Sequence, residues 1–212
     1  MEDPLEHRKT AARMANRARE SGSDWFEEFY QWTGGDEVKV PWADLEPHPL
    51  LVEWLNGRRL GSAAIVGCGL GDDAEAASRH ADSVWAFDVS ETAVEWAQRR
   101  FPDSSVVYET SDLFRLPAER RFAFSTVIEI YTLQALPPER RQAALESLAS
   151  LVSPAGELVI ITRWREPEAE LGPVPWPLLM SELDELDRLG LTRTEQTSEP
   201  AGQAIRLVWR KP

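Results

Sequence analysis

The chain has 212 residues, 42% of them hydrophobic, which is the size and composition of one ordinary folded domain. Its 36 acidic residues outnumber the 23 basic ones and give a net charge of -13, which disfavours nucleic acid and anionic membranes as partners. No apolar run has membrane-spanning length, and the acidic, polar start is unlike a secretion signal. With the single cysteine Cys68 no internal disulfide can form, and the 3 histidines lack the spacing of a metal site. We therefore expect a cytoplasmic protein without a metal.

Residues 1–60 are expected to form an N-terminal helical and aromatic cap that belongs to the same domain as residues 61–212. Residues 6–20 are charged and rich in alanine and arginine, a composition typical of a solvated helix or frayed arm with little function. An amphipathic segment then runs from Asp24 to Tyr30, and after glycine and proline turns a short helix is predicted from Leu50 to Leu55. Four tryptophans crowd this region and either pack on the domain or cover a ligand: Trp25, Trp32, Trp42 and Trp54.

From residue 61 onward, short apolar runs alternate with helical patterns, as in a series of βα units. The predicted strands are Ser62–Val66, Ser83–Phe87, Ser105–Glu109, Phe124–Ile130 and Glu157–Thr162. The predicted helices are Asp73–His80, Ser90–Arg100, one that follows Pro137 and Pro138, and Leu178–Leu189, with a constrained loop from Arg163 to Pro177. Leu191–Thr197 and Ala204–Arg210 predict an antiparallel pair joined by a turn at Pro200–Gly202. The pattern predicts a doubly wound, Rossmann-like α/β sheet of seven strands, mostly parallel with an antiparallel C-terminal edge strand. Its ligand should lie beyond the carboxyl ends of the central strands.

A glycine-rich turn, Gly67-Cys68-Gly69-Leu70-Gly71, follows the first of these strands. Glycine permits a positive φ and lets a ligand approach the backbone, although such a turn also occurs as a plain βα connection. Asp88 ends the second strand about 20 residues later, the distance at which an acidic side chain meets the hydroxyls of a ribose. The turn and the acid together predict a nucleoside cofactor.

The residues after the turn indicate which nucleoside binds. Asp72 stands where a dinucleotide-binding turn has its third glycine, and Asp72 and Asp73 place negative charge where a pyrophosphate would sit. A cationic sulfonium with its ammonium group suits this acidic rim better. Asp112, after the third strand, can accept a hydrogen bond from an adenine amino group with Leu113 against the ring, or it can serve as a helix N-cap or turn residue.

These motifs resemble the core of the class I S-adenosylmethionine-dependent methyltransferases over residues 61–162. The resemblance implies S-adenosylmethionine as cofactor, held by Gly67, Cys68, Gly69, Gly71, Asp88, Val89, Asp112 and Leu113. Many members also carry an acidic residue before the glycines, where this chain has Ala64 or Ile65. The contact with the cofactor's ammonium group is thereby left to backbone carbonyls or to Asp72, Asp73 or Glu129.

The upstream segment resembles the thiopurine methyltransferase-like branch, in which an N-terminal aromatic region closes over cofactor and acceptor. The matching residues are Trp25, Tyr30, Val40-Pro41-Trp42 and Pro47-His48-Pro49-Leu50-Leu51. This resemblance implies that Trp42 contacts the cofactor and that relatives methylate small thiols, thiopurines, halides or oxyanions. We expect Trp42, with Trp25 or Tyr30, and the segment Trp164–Trp176 to form the walls and lid of an acceptor pocket.

Three side chains are candidates for catalysis if the acceptor needs a base. Glu129 and Tyr131 come at the end of the fourth strand and should face the transferred methyl, although a polar residue there is otherwise a simple strand terminus. His48 lies between two prolines and is a third candidate base, or else an exposed loop residue. Cys68 is read as a small side chain beside the cofactor rather than a nucleophile.

The sequence therefore predicts an S-adenosylmethionine-dependent methyltransferase that acts on a small molecule, as a monomer or homodimer. The nucleophilic atom, sulfur, oxygen, nitrogen or halide, stays open. The alternatives are a non-catalytic S-adenosylmethionine-binding protein and, less favoured because the third glycine is missing, a nicotinamide-dependent oxidoreductase.

Overall fold

A computed structural model describes residues 4–21, 25–172, 174–199 and 204–212 of the chain. Its seven strands form one sheet: β1 Leu60–Val66, β2 Ala81–Asp88, β3 Val107–Thr110, β4 Phe124–Ile130, β5 Val152–Thr162, β6 Thr192–Ser198 and β7 Ile205–Arg210. The strand order is β3-β2-β1-β4-β5-β7-β6, with β1 to β5 parallel and β7 antiparallel to both of its neighbours. The predicted fold is confirmed, with the antiparallel pair of β6 and β7 at one edge of the sheet. The predicted turn Pro200–Gly202 lies outside the described residues.

The central strands are apolar because helices cover both faces of the sheet. Leu158, Val159, Ile160 and Ile161 of β5 are all fully buried. The helices are α1 Pro4–Ser21, α2 Phe26–Thr33, α3 Pro49–Leu55, α4 Asp72–Ser78, α5 Glu91–Arg100, α6 Pro138–Leu151, α7 Met180–Leu183 and α8 Glu185–Arg188. The single helix predicted from Leu178 to Leu189 is therefore two short helices. Within the described ranges, no helix combines the length and apolar character needed to cross a lipid bilayer.

The cap is fixed to the sheet domain through the N-terminus of α5. Ser90 caps this helix, with its Oγ accepting a hydrogen bond from Ala93 N at 3.0 Å. The carboxylate of Glu27 on α2 accepts hydrogen bonds from Ser90 Oγ and from the amide and hydroxyl of Thr92, at 2.6 to 3.1 Å. One acidic side chain therefore joins α2 to the strand-to-helix connection that follows β2.

Helix α1 departs from the sequence expectation of a solvated or frayed arm. It buries Ala11, Ala15 and Ala18, which recur at helical spacing on one face, and it also buries His7. These alanines pack with Trp25, Phe29 and Trp176. Small side chains gave no recognisable apolar stripe in the sequence, yet they form the docking face of the helix.

Candidate cofactor and acceptor site

A cavity of about 660 Å³ opens beyond the carboxyl ends of β1, β2 and β4, where the doubly wound topology predicts a ligand. Its volume is in the range of small-molecule and cofactor sites. The sheet side contributes Val66, Gly67, Asp88, Val89, Asp112, Leu113, Tyr131 and Thr132. The opposite wall comes from α1 and the cap: Ala11, Ala15, Ala18, Trp25, Tyr30 and Trp42. The cap and the strand ends therefore enclose one shared space.

The glycine turn has the backbone that only glycine adopts freely. Gly67, Gly69 and Gly71 have φ angles of 64°, 50° and 95°. Of the turn residues, Gly67 lines the cavity, and a Cβ built on it would lie 2.2 Å from Thr132 Oγ1. Gly71 instead lets α4 pack closely, because a Cβ there would lie 2.7 Å from Tyr108 Oη and 3.2 Å from Ala97 Cβ. The turn therefore serves both the cavity and the packing of its helix.

Three turn residues that were predicted to bind the cofactor, Cys68, Gly69 and Gly71, are not among the residues that line the cavity. Cys68 packs in the core cluster that contains Ala63 and Ile65 of β1, where burial raises the pKa of its thiol. Gly71 belongs to the helix packing described above. Gly69 donates its amide to Asp88, and a Cβ built on it would lie 3.2 Å from Tyr30 Oη. Cys68 and Gly71 therefore have packing contacts in the folded chain, and their contacts with the cofactor stay a prediction.

Asp88 ends β2 at the cavity, as the sequence predicts. It is 8% exposed, and its two carboxylate oxygens accept the amides of Gly69 and Ser90, each at 3.0 Å. These bonds orient the carboxylate and couple it to the glycine turn. A carboxylate held in this way is suited to accept hydrogen bonds from paired hydroxyls of a ligand.

Asp112 and Leu113 also line the cavity, beyond the end of β3. Asp112 Oδ1 accepts the amide of Phe114 at 2.8 Å, so it caps the short 3-10 turn Leu113–Arg115. The capping role that the sequence left open is therefore present, in a residue that also borders the cavity. Leu113 is buried and offers an apolar surface.

The aromatic cap covers the cavity, but only part of the expected lid takes part. Trp42 donates from Nε1 to Tyr30 Oη at 3.0 Å, and its ring packs edge-on against Trp25 with centroids 5.7 Å apart. From the segment Trp164–Trp176, Val174 and Pro175 line the cavity, whereas Trp176 is fully buried in packing. Trp164 is 38% exposed and does not line the cavity. The two tryptophans of that segment are therefore not pocket walls.

The three acidic side chains expected near the cofactor's ammonium group are used elsewhere. Asp72 forms a two-pronged ion pair with Arg100 at 2.6 and 2.9 Å. Asp73 accepts the amide of His48 at 2.7 Å, and burial raises its pKa to about 6. None of the three, Glu129 included, is among the described residues that line the cavity.

Glu129 does not face the cavity as expected. Its side chain is fully buried, and its Oε1 accepts the amides of Thr132 and Leu133 at 2.6 and 2.9 Å. Burial raises the pKa of Glu129 to about 7, against the lowering effect of those two amides. The carboxyl group therefore shapes the turn after β4, and that turn places Tyr131 and Thr132 at the cavity.

His48 and Tyr131 are brought together across 83 residues of sequence. His48 Nε2 lies 2.9 Å from Tyr131 Oη, and the two rings meet edge-on. His48 is 9% exposed, so it is not the exposed loop residue of the alternative interpretation. Tyr131 lines the cavity, while His48 supports it from behind.

Several cavity residues were not identified as site residues from the sequence, among them Phe114, Thr132, Gln134 and Arg163. Gln134 accepts the amide of Arg163 at 2.8 Å, so the turn after β4 is tied to the segment after β5. The guanidinium carbon of Arg163 lies 5.8 Å from the ring centroid of Tyr131. The cavity residues that the sequence reasoning missed follow the ends of strands. That position could have identified them, because parallel strands end on the same side of a sheet.

Comparison with known proteins points to the same chemistry. Residues 64–156 match the family model for a methyltransferase domain. Thiocyanate methyltransferase 1 of Brassica oleracea is 28% identical over 128 residues, which cover 58% of this chain and 56% of that protein. The Arabidopsis thaliana protein of the same name is 30% identical over 134 residues, 59% of this chain and 57% of the relative. The chain therefore spans somewhat over half the length of these curated relatives.

Among solved structures, the N-methyltransferase NodS from Bradyrhizobium japonicum WM9, in complex with S-adenosyl-L-homocysteine, has the same fold. Its TM-score is 0.71 at 18% identity, with 88% of this chain and 98% of that chain covered. These comparisons indicate a methyltransferase domain within residues 64–156, and the match to NodS shows the same fold. They also support S-adenosylmethionine as the cofactor.

The cavity residues fit that cofactor. The turn leaves a cradle at Gly67 that a Cβ would fill. Asp88 lines the cavity with a carboxylate that suits the two hydroxyls of a ribose, and Leu113 and Val89 add apolar surface that suits an adenine ring. Trp42 and Tyr30 close the cavity from the other side.

Proposed function

We propose that this chain transfers a methyl group from S-adenosylmethionine to a small-molecule acceptor. The observation that carries the proposal is the enclosed cavity in which Gly67, Asp88 and Leu113 meet the aromatic cap. Its volume of about 660 Å³ is that of a site for small molecules, and the excess of acidic groups in the chain disfavours a polyanionic acceptor.

The chain's own residues bind, orient and exclude water in this proposal. Asp88, fixed by the amides of Gly69 and Ser90, holds the nucleoside end. Trp25 and Trp42 cover the cavity and keep water from the reacting atoms. Bound S-adenosylmethionine would supply a methyl group on a positively charged sulfur. A lone pair of the acceptor would form the new bond to that carbon while the carbon–sulfur bond breaks and leaves a neutral thioether. Alignment and desolvation are then the protein's main contributions.

The proposal extends to the thiopurine methyltransferase-like branch. The aromatic cap over the cavity supports this assignment, because Trp25, Tyr30 and Trp42 all line it. The relatives named thiocyanate methyltransferase also support a small acceptor. We further propose a reducing, cytoplasmic setting, which the single buried cysteine supports.

Titration calorimetry with S-adenosylhomocysteine and with NADH tests the cofactor assignment. We expect saturable binding of S-adenosylhomocysteine, and binding of NADH in its place would refute the proposal. Labelled S-adenosylmethionine offered with a panel of small thiols, halides, thiopurines and phenols then tests the reaction. Binding without transfer to any member of the panel would favour the non-catalytic alternative.

A matched pair of variants on β2 links the binding to the site. Asp88→Asn is expected to lower the affinity for S-adenosylhomocysteine by about tenfold to a hundredfold, because it weakens hydrogen bonds to a charged acceptor. Asp82→Asn, on the same strand, changes a side chain that is 70% exposed and paired with Arg59 on the surface. It should leave the affinity unchanged, and an equal loss in both variants would contradict the site.

A further inference from the structure

We infer that His48 is a positioning residue that holds the hydroxyl group of Tyr131 as a hydrogen-bond donor toward the acceptor. The acceptor end of the cavity therefore takes an electron-rich oxygen or sulfur atom that is ready to react without a base. This inference rests on the proposed function and narrows its substrate class.

The hydrogen-bond roles of the imidazole follow from its surroundings. His48 is the N-cap of α3, and its Nδ1 lies 3.2 Å from the amide nitrogen of Leu50. An amide N–H can only donate, so Nδ1 must accept and carries no proton. The proton of the neutral ring is then on Nε2, which faces Tyr131 Oη at 2.9 Å. Both ring nitrogens are thereby engaged, and His48 cannot receive a proton from a substrate while it keeps these bonds.

The backbone of His48 is held as firmly as its ring. Its amide donates to Asp73 at 2.7 Å, and its carbonyl accepts the amides of Leu51 and Val52 at 2.9 and 3.0 Å. Burial lowers the pKa of His48, in keeping with a neutral imidazole. A ring fixed on both sides sets the direction of whatever it touches.

Tyr131 consequently presents its own proton rather than a lone pair to the cavity. Nε2–H occupies a lone pair of Oη, which leaves the hydroxyl proton free to point at a ligand. Burial raises the pKa of Tyr131, so the hydroxyl stays protonated. The tyrosine thus acts as a donor and not as a base.

The charged groups around this pair are Arg163, Asp44 and Glu199. Arg163 lines the cavity and acts on Tyr131 itself, where it lowers the pKa of the tyrosine against the larger, raising effect of burial. Glu199 Oε1 lies 3.8 Å from His48 Nε2, farther than Tyr131 Oη, and Asp44 is exposed on the loop before α3. Neither carboxylate takes the place of Tyr131 as the partner of Nε2.

The test measures binding and not turnover, with 4-nitrophenolate as the probe and the protein saturated with S-adenosylhomocysteine. The ionised oxygen of this probe accepts hydrogen bonds, and its absorbance reports binding. Tyr131→Phe removes the donor and should weaken probe binding about tenfold to a hundredfold. Full affinity in this variant, or no saturable binding to the unmodified chain, would overturn the inference.

Two substitutions at His48 separate the capping bond from the bond to Tyr131. Asn is a good N-cap, so His48→Asn keeps an acceptor for Leu50 but does not reach Tyr131, and it should weaken probe binding about as much as Tyr131→Phe. His48→Gln places an amide nitrogen as many bonds from the backbone as Nε2, and it should restore affinity to within about threefold.

A merely structural role predicts the opposite order, with Asn near the original affinity and Gln impaired, and that result would refute the positioning role. The affinity for S-adenosylhomocysteine is measured alongside in every variant. If the unmodified chain does not bind S-adenosylhomocysteine, the proposed function is refuted. If it binds S-adenosylhomocysteine but not 4-nitrophenolate, this inference alone is refuted.

Discussion

Replacing Gly67 by alanine is expected to destabilise the fold and the cofactor site together. Gly67 has a φ of 64°, and the added Cβ would lie 2.2 Å from Thr132 Oγ1 and 3.2 Å from Thr132 Cβ and Cγ2. A left-handed backbone costs a non-glycine residue about 1–2 kcal/mol. Forcing extra volume into a packed site costs about 1–3 kcal/mol more. The free energy of unfolding should therefore fall by about 2–5 kcal/mol.

Gly57 provides the matched control. Its φ is 74°, and a Cβ there would meet nothing within 4 Å. Gly57→Ala therefore carries the backbone strain alone, about 1–2 kcal/mol. Combining Gly67→Ala with Thr132→Ala removes Oγ1 and Cγ2 and should recover part of the additional loss, because only the contact with Cβ remains.

Urea unfolding followed by circular dichroism measures the stability, and calorimetry with S-adenosylhomocysteine measures the site. Gly67 and Thr132 both line the cavity, so Gly67→Ala should also weaken ligand binding while Gly57→Ala should not. Equal stability losses in the two alanine variants, or unchanged ligand affinity in Gly67→Ala, would refute the argument from close packing.

Two further predictions concern carboxyl groups. Glu27→Ala should lower the free energy of unfolding by about 1–3 kcal/mol, because it leaves the donors of Ser90 and Thr92 without their shared acceptor. Urea unfolding measures this loss. The neighbouring control, Glu28→Ala, breaks only a surface pair with Arg17 and should cost at most about 1 kcal/mol, so equal losses would contradict the pinning role of Glu27. For Glu129, burial raises the pKa from 4.5 to about 7, so the folded state binds the proton more tightly than the unfolded state. Stability must then fall as the pH rises from about 4.5 to about 7, and Asp73 contributes with the same sign between about 3.8 and 6. Glu129→Gln should show a shallower fall in its urea midpoints, and parallel curves for the two proteins would exclude Glu129 as the cause.

The strands and the acids at their ends were predictable because each depends on local pattern. β4 was predicted with the bounds that the structure has, Phe124–Ile130. Asp88 was identified by its position at the end of a buried strand, and it does line the cavity. Local chemistry determines such features, so sequence order is sufficient to find them.

The direction of individual side chains was not predictable. Glu129 ends a strand at the cavity, yet it turns inward because the amides of Thr132 and Leu133 offer it partners. Asp72 was expected at the cofactor, but Arg100, 28 residues away in sequence, holds it. The contact between His48 and Tyr131 joins the cap to β4 and exists only once both are folded. Choices among competing partners depend on tertiary structure, which no sequence window contains.

The alanine face of α1 has a consequence for the dynamics of the site. Burial of apolar surface stabilises a fold by about 25 cal/mol per Å², and the methyl group of alanine buries little surface. The packing of α1 through Ala11, Ala15 and Ala18 is therefore less stabilising than the packing of α6 through its leucines. Local opening free energies differ within a protein according to such contacts. Helix α1 should therefore exchange its amide hydrogens sooner than the sheet does, and the cavity can exchange its contents with solvent while the strands stay folded.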